Sequence, residues 1–356
     1  MKVLFAAGGS AGHVDPALAT ADALKELSPG VTIAFMGTKE GIESRLVPSE
    51  NYPLLTIEKL PFPRQISFSA LLWPFRAAAN LQRARRVVRE FDAVVGFGGY
   101  VSAFGMFAAF LQRVPRIIHE ANALPGMANR LAARLGAVAD VSYPRAQQIM
   151  RGAHLMALPV RKNLQSSPMD RSAAKEFFGV PTDLPTLLII GGSLGARRLN
   201  TFVSQLVSQA QEHPFSIIHS LGHSAPLPQP SARYRPLTYI DRMDVALAAA
   251  DLVISRAGAG AVAQISRFEV PAIFIPLWHG NGEQGANAAP AVALGAGILL
   301  NEGEDLEERL FFEISRLIGD PMELSRMRSA YAGLPESLRS SLGAREMATQ
   351  IIAQAT

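Results

Sequence analysis

The sequence predicts an α/β chain built from two doubly wound parallel sheets, and three observations carry that prediction. Short apolar runs alternate with longer helical patterns along nearly the whole length. The runs are continuously apolar rather than alternating, as strands covered on both faces require. The two halves also repeat one phrase. Val3-Leu4-Phe5-Ala6-Ala7-Gly8-Gly9-Ser10 and Leu187-Leu188-Ile189-Ile190-Gly191-Gly192-Ser193 each read strand, Gly-Gly-Ser, helix.

In chain order, strands are expected at Val3–Ala7, Thr32–Phe35, Ala93–Phe97, Arg116–His119 and Val138–Val141. A helix is expected from about Pro16 and another from about Val101. The Pro-, Ser- and Asp-bearing segment from about Leu158 to Asp170 reads as the boundary between two domains. Beyond it, strands are expected at Thr186–Ile190, Ser216–His219, Leu252–Ser255, Ala272–Pro276 and Gly297–Leu300, with a helix from about Leu199. Ala93 to Gln112 carries no charge and is long enough to span a bilayer. Gly96, Gly98, Gly99 and Gly105 break it, so a buried strand, a glycine turn and a helix are expected instead.

Composition narrows the function. A chain of 356 residues suits two domains. Charged residues make up only 18%, which argues against extensive disorder. The absence of cysteine excludes a disulfide scaffold, thiolate metal sites and a cysteine nucleophile. The formal net charge is +4, which suits an anionic ligand or membrane surface without choosing between them. The first residues do not read as a secretory signal, so a cytoplasmic location is expected.

Two glycine loops carry the chemistry. Gly8-Gly9-Ser10-Ala11-Gly12-His13 follows a strand and leads into a helix, where backbone N–H groups and the helix dipole favour an anion. It matches neither G-x-G-x-x-G nor the Walker pattern, and a simple tight turn is its alternative reading. Arg256-Ala257-Gly258-Ala259-Gly260-Ala261 repeats the logic, with small residues leaving room beside the backbone; close helix–sheet packing is the alternative there. No Asp-x-Asp pair occurs and the histidines lack metal-ligand spacing, so neither a catalytic metal nor a cofactor is expected. Gly-x-Ser-x-Gly occurs twice, at Gly8–Gly12 and Gly191–Gly195. A serine hydrolase needs one such elbow with its histidine last in the chain, so a repeated ligand loop fits better.

Taken together the motifs resemble the MurG family of peptidoglycan N-acetylglucosaminyltransferases. The matching residues begin with Gly8 to His13 and Pro16-Ala17-Leu18, followed by Gly37-Thr38 with Gly41-Ile42-Glu43 and by Gly98-Gly99-Tyr100. His119-Glu120-Ala121-Asn122, Pro125-Gly126, Asn129-Arg130 and Pro159-Val160-Arg161 continue the series. In the second half Gly191 to Arg197, Tyr239-Ile240-Asp241, Arg256 to Ala259, Gly282-Glu283-Gln284 and Asn287-Ala288 match.

The resemblance implies two Rossmann-like domains facing across a cleft, the GT-B fold. It implies an acceptor- and membrane-facing domain of about 1–160 joined by a C-terminal helix at about 343–356, and a donor-binding domain of about 161–342. It implies inverting, metal-independent transfer of N-acetylglucosamine from UDP-N-acetylglucosamine to the C4 hydroxyl of the muramoyl sugar in undecaprenyl-diphosphate-linked lipid I. No nucleic acid is expected as a partner. The resemblance makes His13 the base candidate. It assigns substrate contacts to Ser10, Ala11, Gly12, Asn122 and Arg161 in the first domain. In the second it assigns them to Ser193, Ile240, Ala259, Gly260, Ala261, Val262, Ala263, Gln264 and Gln284.

Three residues depart from the family pattern. Gln264 stands where Glu is usual, so one acceptor and one donor replace a two-acceptor carboxylate. Ala261 replaces a hydroxyl residue, and Leu158 replaces Asn in the hinge motif. A lipid-borne acceptor also implies contact with the anionic inner-membrane surface from the cytoplasmic side. Phe68, Leu72, Phe75 and Ala79 at helical spacing, with Leu71 and Trp73 nearby, stand beside Arg76, Arg83, Arg85, Arg86 and Arg89 in the chain and suit such contact. Pro74 is expected to interrupt the helix, and a core-facing helix is the alternative. Two other functions stay open. One is another UDP-N-acetylglucosamine enzyme of this fold, an epimerase or a transferase to a different acceptor; the other is a UDP-sugar-binding scaffold without turnover.

Overall fold

The computed structural model describes the chain except residues 61–67, 165–168, 192–196, 209–213, 224, 278–281 and 356. The chain divides into two compact units, Met1–Arg161 with Ser340–Thr356, and Lys162–Arg339.

Among the described residues the first unit holds a seven-stranded parallel sheet. Its strands are β1 (Lys2–Ala6), β2 (Thr32–Gly37), β3 (Leu54–Thr56), β4 (Ala93–Gly96), β5 (Arg116–Glu120), β6 (Val138–Val141) and β7 (His154–Leu155). They lie in the order β3-β2-β1-β4-β5-β6-β7. The connecting helices are α1 (Ala11–Leu27), α2 (Glu43–Ser49), α3 (Phe68–Val88), α4 (Gly99–Gln112), α5 (Met127–Arg134) and α6 (Pro144–Ile149). Val3, Leu4, Phe5 and Ala6 are all fully buried, as the unbroken apolar run requires. Phe5 stacks between Phe35 at 5.2 Å and Phe97 at 6.2 Å, so neighbouring strands are tied by ring contacts on one face.

The second unit repeats the plan with a six-stranded parallel sheet among its described residues. Its strands are β8 (Thr186–Ile190), β9 (Ser216–Ser220), β10 (Tyr234–Leu237), β11 (Leu252–Ser255), β12 (Ala272–Phe274) and β13 (Gly297–Leu299), in the order β10-β9-β8-β11-β12-β13. Its helices are α7 (Arg171–Phe178), α8 (Arg197–Ser208), α9 (Met243–Ala249), α10 (Ala259–Arg267), α11 (Glu283–Ala293), α12 (Leu306–Ile318) and α13 (Pro321–Ala330). In both sheets the order reverses beside the first strand, the switch point at which open parallel sheets bind ligands at their carboxyl ends.

The last helix, α14 (Gly343–Ala355), packs along α1 in the first unit, with Met347, Ala348 and Ile351 buried. Gly343 lies so close to the Ala157 carbonyl that a side chain has no room. Asp140 on β6 is buried beneath this helix. The Gln350 amide nitrogen, turned toward the carboxylate, donates to it at 2.9 and 3.1 Å, and His154 Nδ1 lies 3.6 Å away. Burial pushes the Asp140 carboxyl up to about 6 despite Gln350 and His154.

All ten strands expected from the sequence form. The three it misses, β3, β7 and β10, are edge strands of two to four residues. β10 contains Pro236, tolerated where one side of the ladder is open. The 93–112 stretch divides into β4 and α4, and among the described residues no helix is long and apolar enough to cross a membrane. Two boundaries differ from expectation. Helix α1 starts at Ala11, not near Pro16, so His13 lies in its first turn. Helix α3 runs through Pro74 instead of stopping there.

Candidate active site

In the first unit the site grows from the end of β1. Ala7 and Gly8 are buried, Gly9 turns with φ +88°, and Ser10 in extended geometry caps α1 without a side-chain bond. The first-turn N–H groups of a helix have no partners within it. His13, half-buried on this turn, folds back. Its Nδ1 is 3.1 Å from the Gly8 carbonyl oxygen and 3.2 Å from Ser10 Oγ.

The opposite wall is the β4–α4 turn. Gly98 and Gly99 take φ of +89° and +77°, and a Cβ at either would stand 3.2 Å from a ring nitrogen of His13. Only glycine allows both the turn and the approach. Tyr100 anchors the shelf by donating to the Glu58 carbonyl at 2.6 Å while accepting from Asn80 at 2.7 Å.

Two buried carboxylates organise the surrounding loops. Glu120, at the end of β5, accepts from Asn122 N at 2.9 Å and Asn122 Nδ2 at 3.2 Å. It also accepts from Gly126 N at 2.9 Å and Asn129 Nδ2 at 3.0 Å. Asn122 therefore sits in a loop already shaped for it. Glu43 serves the first glycine loop in the same way, accepting from Gly9 N at 3.0 Å. Arg161 bonds to neither of these carboxylates. It is ion-paired with Glu50 and, at 3.7 Å, with Asp15, so holding a diphosphate requires it to change partners.

In the second unit the described residues singled out follow β10, β11 and β12 in the chain. Ser193 lies outside the described residues. The Ile240 side chain is buried, which leaves its backbone to present hydrogen-bonding groups. Gly258 caps α10 in extended geometry, the first turn carries no acidic residue, and a Cβ at Gly258 or Gly260 would meet nothing within 4 Å. Ala259 and Val262 are buried, whereas Ala261, Ala263 and Gln264 are partly open. The helix start is thus an unobstructed row of N–H groups suited to an anion. Gln284 Oε1 accepts from Leu277 N at 3.0 Å. Asn287 Nδ2 donates to the Ala257 carbonyl at 3.2 Å, fastening the loop before α10 to α11. Arg256 is committed to Glu302 at 2.6 Å and the Ile275 carbonyl at 3.2 Å, a loop-fixing role. Among the described residues no three His, Asp or Glu side chains gather as a metal site.

Sequence reading assigned no role to Glu43, Glu120, Gly98 and Gly99. Each stands inside a motif, and the signal was a carboxylate among glycines, since a buried carboxylate needs backbone N–H donors at close range.

Two parallel sheets of this Rossmann-like order in one chain, with a glycine loop after β1 and a glycine-capped helix after β11, are the architecture of a GT-B glycosyltransferase. The Glycosyltransferase family 28 N-terminal domain matches residues 3–138 and the family's C-terminal domain matches residues 186–341. The UDP-N-acetylglucosamine--N-acetylmuramyl-(pentapeptide) pyrophosphoryl-undecaprenol N-acetylglucosamine transferase of Clavibacter sepedonicus is 41% identical, over 93% of this chain and 91% of its own. The transferase of that name from Streptomyces avermitilis is 41% identical over 93% of each. The crystal structure of MurG from Acinetobacter baumannii superimposes with a TM-score of 0.73 at 28% identity, covering 99% of both chains. The chain belongs to the MurG family of glycosyltransferases, within glycosyltransferase family 28.

Proposed function

We propose that the chain transfers N-acetylglucosamine from UDP-N-acetylglucosamine to the muramoyl C4 hydroxyl of undecaprenyl-diphosphate-linked lipid I, giving lipid II, with inversion and without a metal. The observation that carries the mechanism is the His13 imidazole, braced through Nδ1 by the Gly8 carbonyl, while Nε2 bonds to no described residue. As the acceptor oxygen attacks the anomeric carbon, Nε2 takes the hydroxyl proton. The bond from that carbon to the UDP oxygen breaks on the opposite face, which inverts the centre. The N–H groups and dipole at the start of α10 receive the charge on the departing diphosphate, the part a divalent cation would otherwise play. Ser10, Ala11, Gly12 and Asn122 contact the donor from the first unit. Ser193, Ile240, Ala259 to Gln264 and Gln284 surround the donor, and Arg161 joins the diphosphate by leaving its carboxylate partners.

Peripheral attachment to the cytoplasmic leaflet belongs to the same reading. Leu72, Phe75 and Ala79 face solvent on α3, whereas Asn80, Ala84 and Val88 face inward, and Phe107, Phe110 and Leu111 are exposed on the adjoining α4. Exposed Arg83, Arg86, Arg89 and Arg113 stand among them. An apolar surface beside free cations suits an anionic bilayer.

The test measures UDP release with a lipid I analogue as acceptor, with and without a chelator. Turnover unaffected by chelation and lowered about 100-fold or more in His13→Ala is expected. Dependence on added magnesium, or full activity in His13→Ala, overturns the corresponding part. Conversion of the donor without acceptor indicates an epimerase, and donor binding without turnover a scaffold.

A further inference from the structure

One peptide group, Gly8–Gly9, is gripped at both ends. Its N–H, on Gly9, donates to Glu43 Oε2 at 3.0 Å, and its C=O, on Gly8, lies 3.1 Å from His13 Nδ1. Glu43 is fully buried on the first turn of α2. Its other oxygen accepts from Thr38 N at 2.9 Å and Thr38 Oγ1 at 2.8 Å. The carboxylate has space because Gly8, Gly37 and Gly41 lack side chains. A Cβ at Gly8 would lie 2.6 Å from Glu43 Oε1, and one at Gly37 2.6 Å from Glu43 Cγ. Burial alone pushes this carboxyl up, but the bonds from Gly9, from its own backbone and from Thr38 outweigh it and hold it below the ordinary carboxylate range. The group is therefore a buried anion with one oxygen on Thr38 and the other on the Gly8–Gly9 peptide.

A carbonyl oxygen can only accept, so the imidazole nitrogen facing Gly8 O carries the proton, and Ser10 Oγ beside it accepts as well. A negative charge on the N–H side of the peptide polarises it and strengthens the carbonyl as an acceptor.

We infer that Glu43 is a positioning residue for the transfer, acting through the Gly8–Gly9 peptide to hold His13 as the Nδ1–H tautomer with Nε2 left to accept a proton. The arrangement performs the task of a carboxylate paired with a catalytic histidine, with a peptide interposed. It rests on the reading of His13 as the base for its consequence in catalysis, but the tautomer itself does not.

The experiment records nitrogen-15 spectra of the labelled full chain, assigning His13 by its loss in His13→Gln, and compares Glu43→Gln. A glutamine keeps one acceptor and presents an amide to the remaining donors, so it cannot satisfy both Gly9 and Thr38. The unsubstituted chain is expected to show Nδ1–H at His13, and folded Glu43→Gln a mixture of tautomers. In the UDP-release assay kcat is expected to fall about tenfold or more in Glu43→Gln, with KM for UDP-N-acetylglucosamine held within about threefold. An unchanged tautomer in folded Glu43→Gln overturns the inference. A changed tautomer with unchanged kcat sustains the positioning and removes His13 as the base. Should Glu43→Gln fail to fold, the unsubstituted chain decides. Nδ1–H at His13 with the Gly9 amide proton shifted downfield, as a charge-assisted bond requires, supports the inference, and Nε2–H overturns it.

Discussion

Gly99 shows how much one missing side chain does at this site. With φ at +77°, it lets the β4–α4 turn lie against both the Gly8 carbonyl and the imidazole. A Cβ there would stand 3.0 Å from the carbonyl oxygen and 3.2 Å from Nδ1. Gly99→Ala is expected to cost about 1–2 kcal/mol in a denaturant melt, from the backbone conformation alone. It is also expected to lower kcat by displacing His13, and a variant with both quantities at wild-type values would contradict this. At this scale the sequence exposed the glycine loops because glycine pairs after an apolar run are local signals. It did not expose the link between Glu43 and Gly9, which crosses 34 positions and exists only after β1 and β2 pair. Gln264 is legible in the opposite sense, as a departure from a family pattern on a partly open helix face. Gln264→Glu restores two acceptors and is expected to lower KM for UDP-N-acetylglucosamine several-fold, read from initial rates.

Among the elements, central strands announced themselves, whereas of the four edge strands only β13 did. β1 and β8 are covered on both faces and so are almost entirely apolar, whereas the two residues of β7, His154-Leu155, are too few to leave a hydrophobic signature. Helix α3 was legible in its spacing but not in its direction. The same apolar stripe fits a core or a surface, and only the packing of Asn80, Ala84 and Val88 inward turns Leu72 and Phe75 outward. Phe75→Ser, at a side chain 73% exposed, is expected to reduce cosedimentation with anionic vesicles while leaving thermal stability unchanged. Equal binding by both proteins would remove that face from the membrane reading.

Asp140 provides a test between β6 and α14. Its carboxyl is raised to about 6 in the fold from an ordinary 3.8, so the fold prefers the protonated form. Its contribution is fully present below pH 3.8 and is lost as pH rises through about 6. Asp140→Asn does not ionise. Its stability relative to the parent chain is therefore expected to rise by about 1–3 kcal/mol between those pH values and to level above them. A flat difference would show the carboxyl to be unperturbed.

Across the whole molecule, one architecture is used twice, and the fold class was plain because the repeat is written in the chain. Each sheet reverses its order beside its first strand and places a glycine-rich helix start there. The chain path is less regular, since the first unit is completed by residues that follow the second. Ile351, fully buried on α14, is its most direct probe. Ile351→Ala is expected to cost about 2–5 kcal/mol, and that loss should appear in protection of first-unit amides from hydrogen exchange while second-unit amides keep theirs.

That return of α14 to α1 has a consequence during synthesis. Most of the first unit emerges from the ribosome before the second, yet the apolar groove that receives Met347, Ala348 and Ile351 stays open until α14 is translated. The nascent chain must carry that groove through the making of an entire second unit. A folding-arrest or chaperone-capture signal should therefore persist past residue 339 and vanish only when α14 clears the exit tunnel.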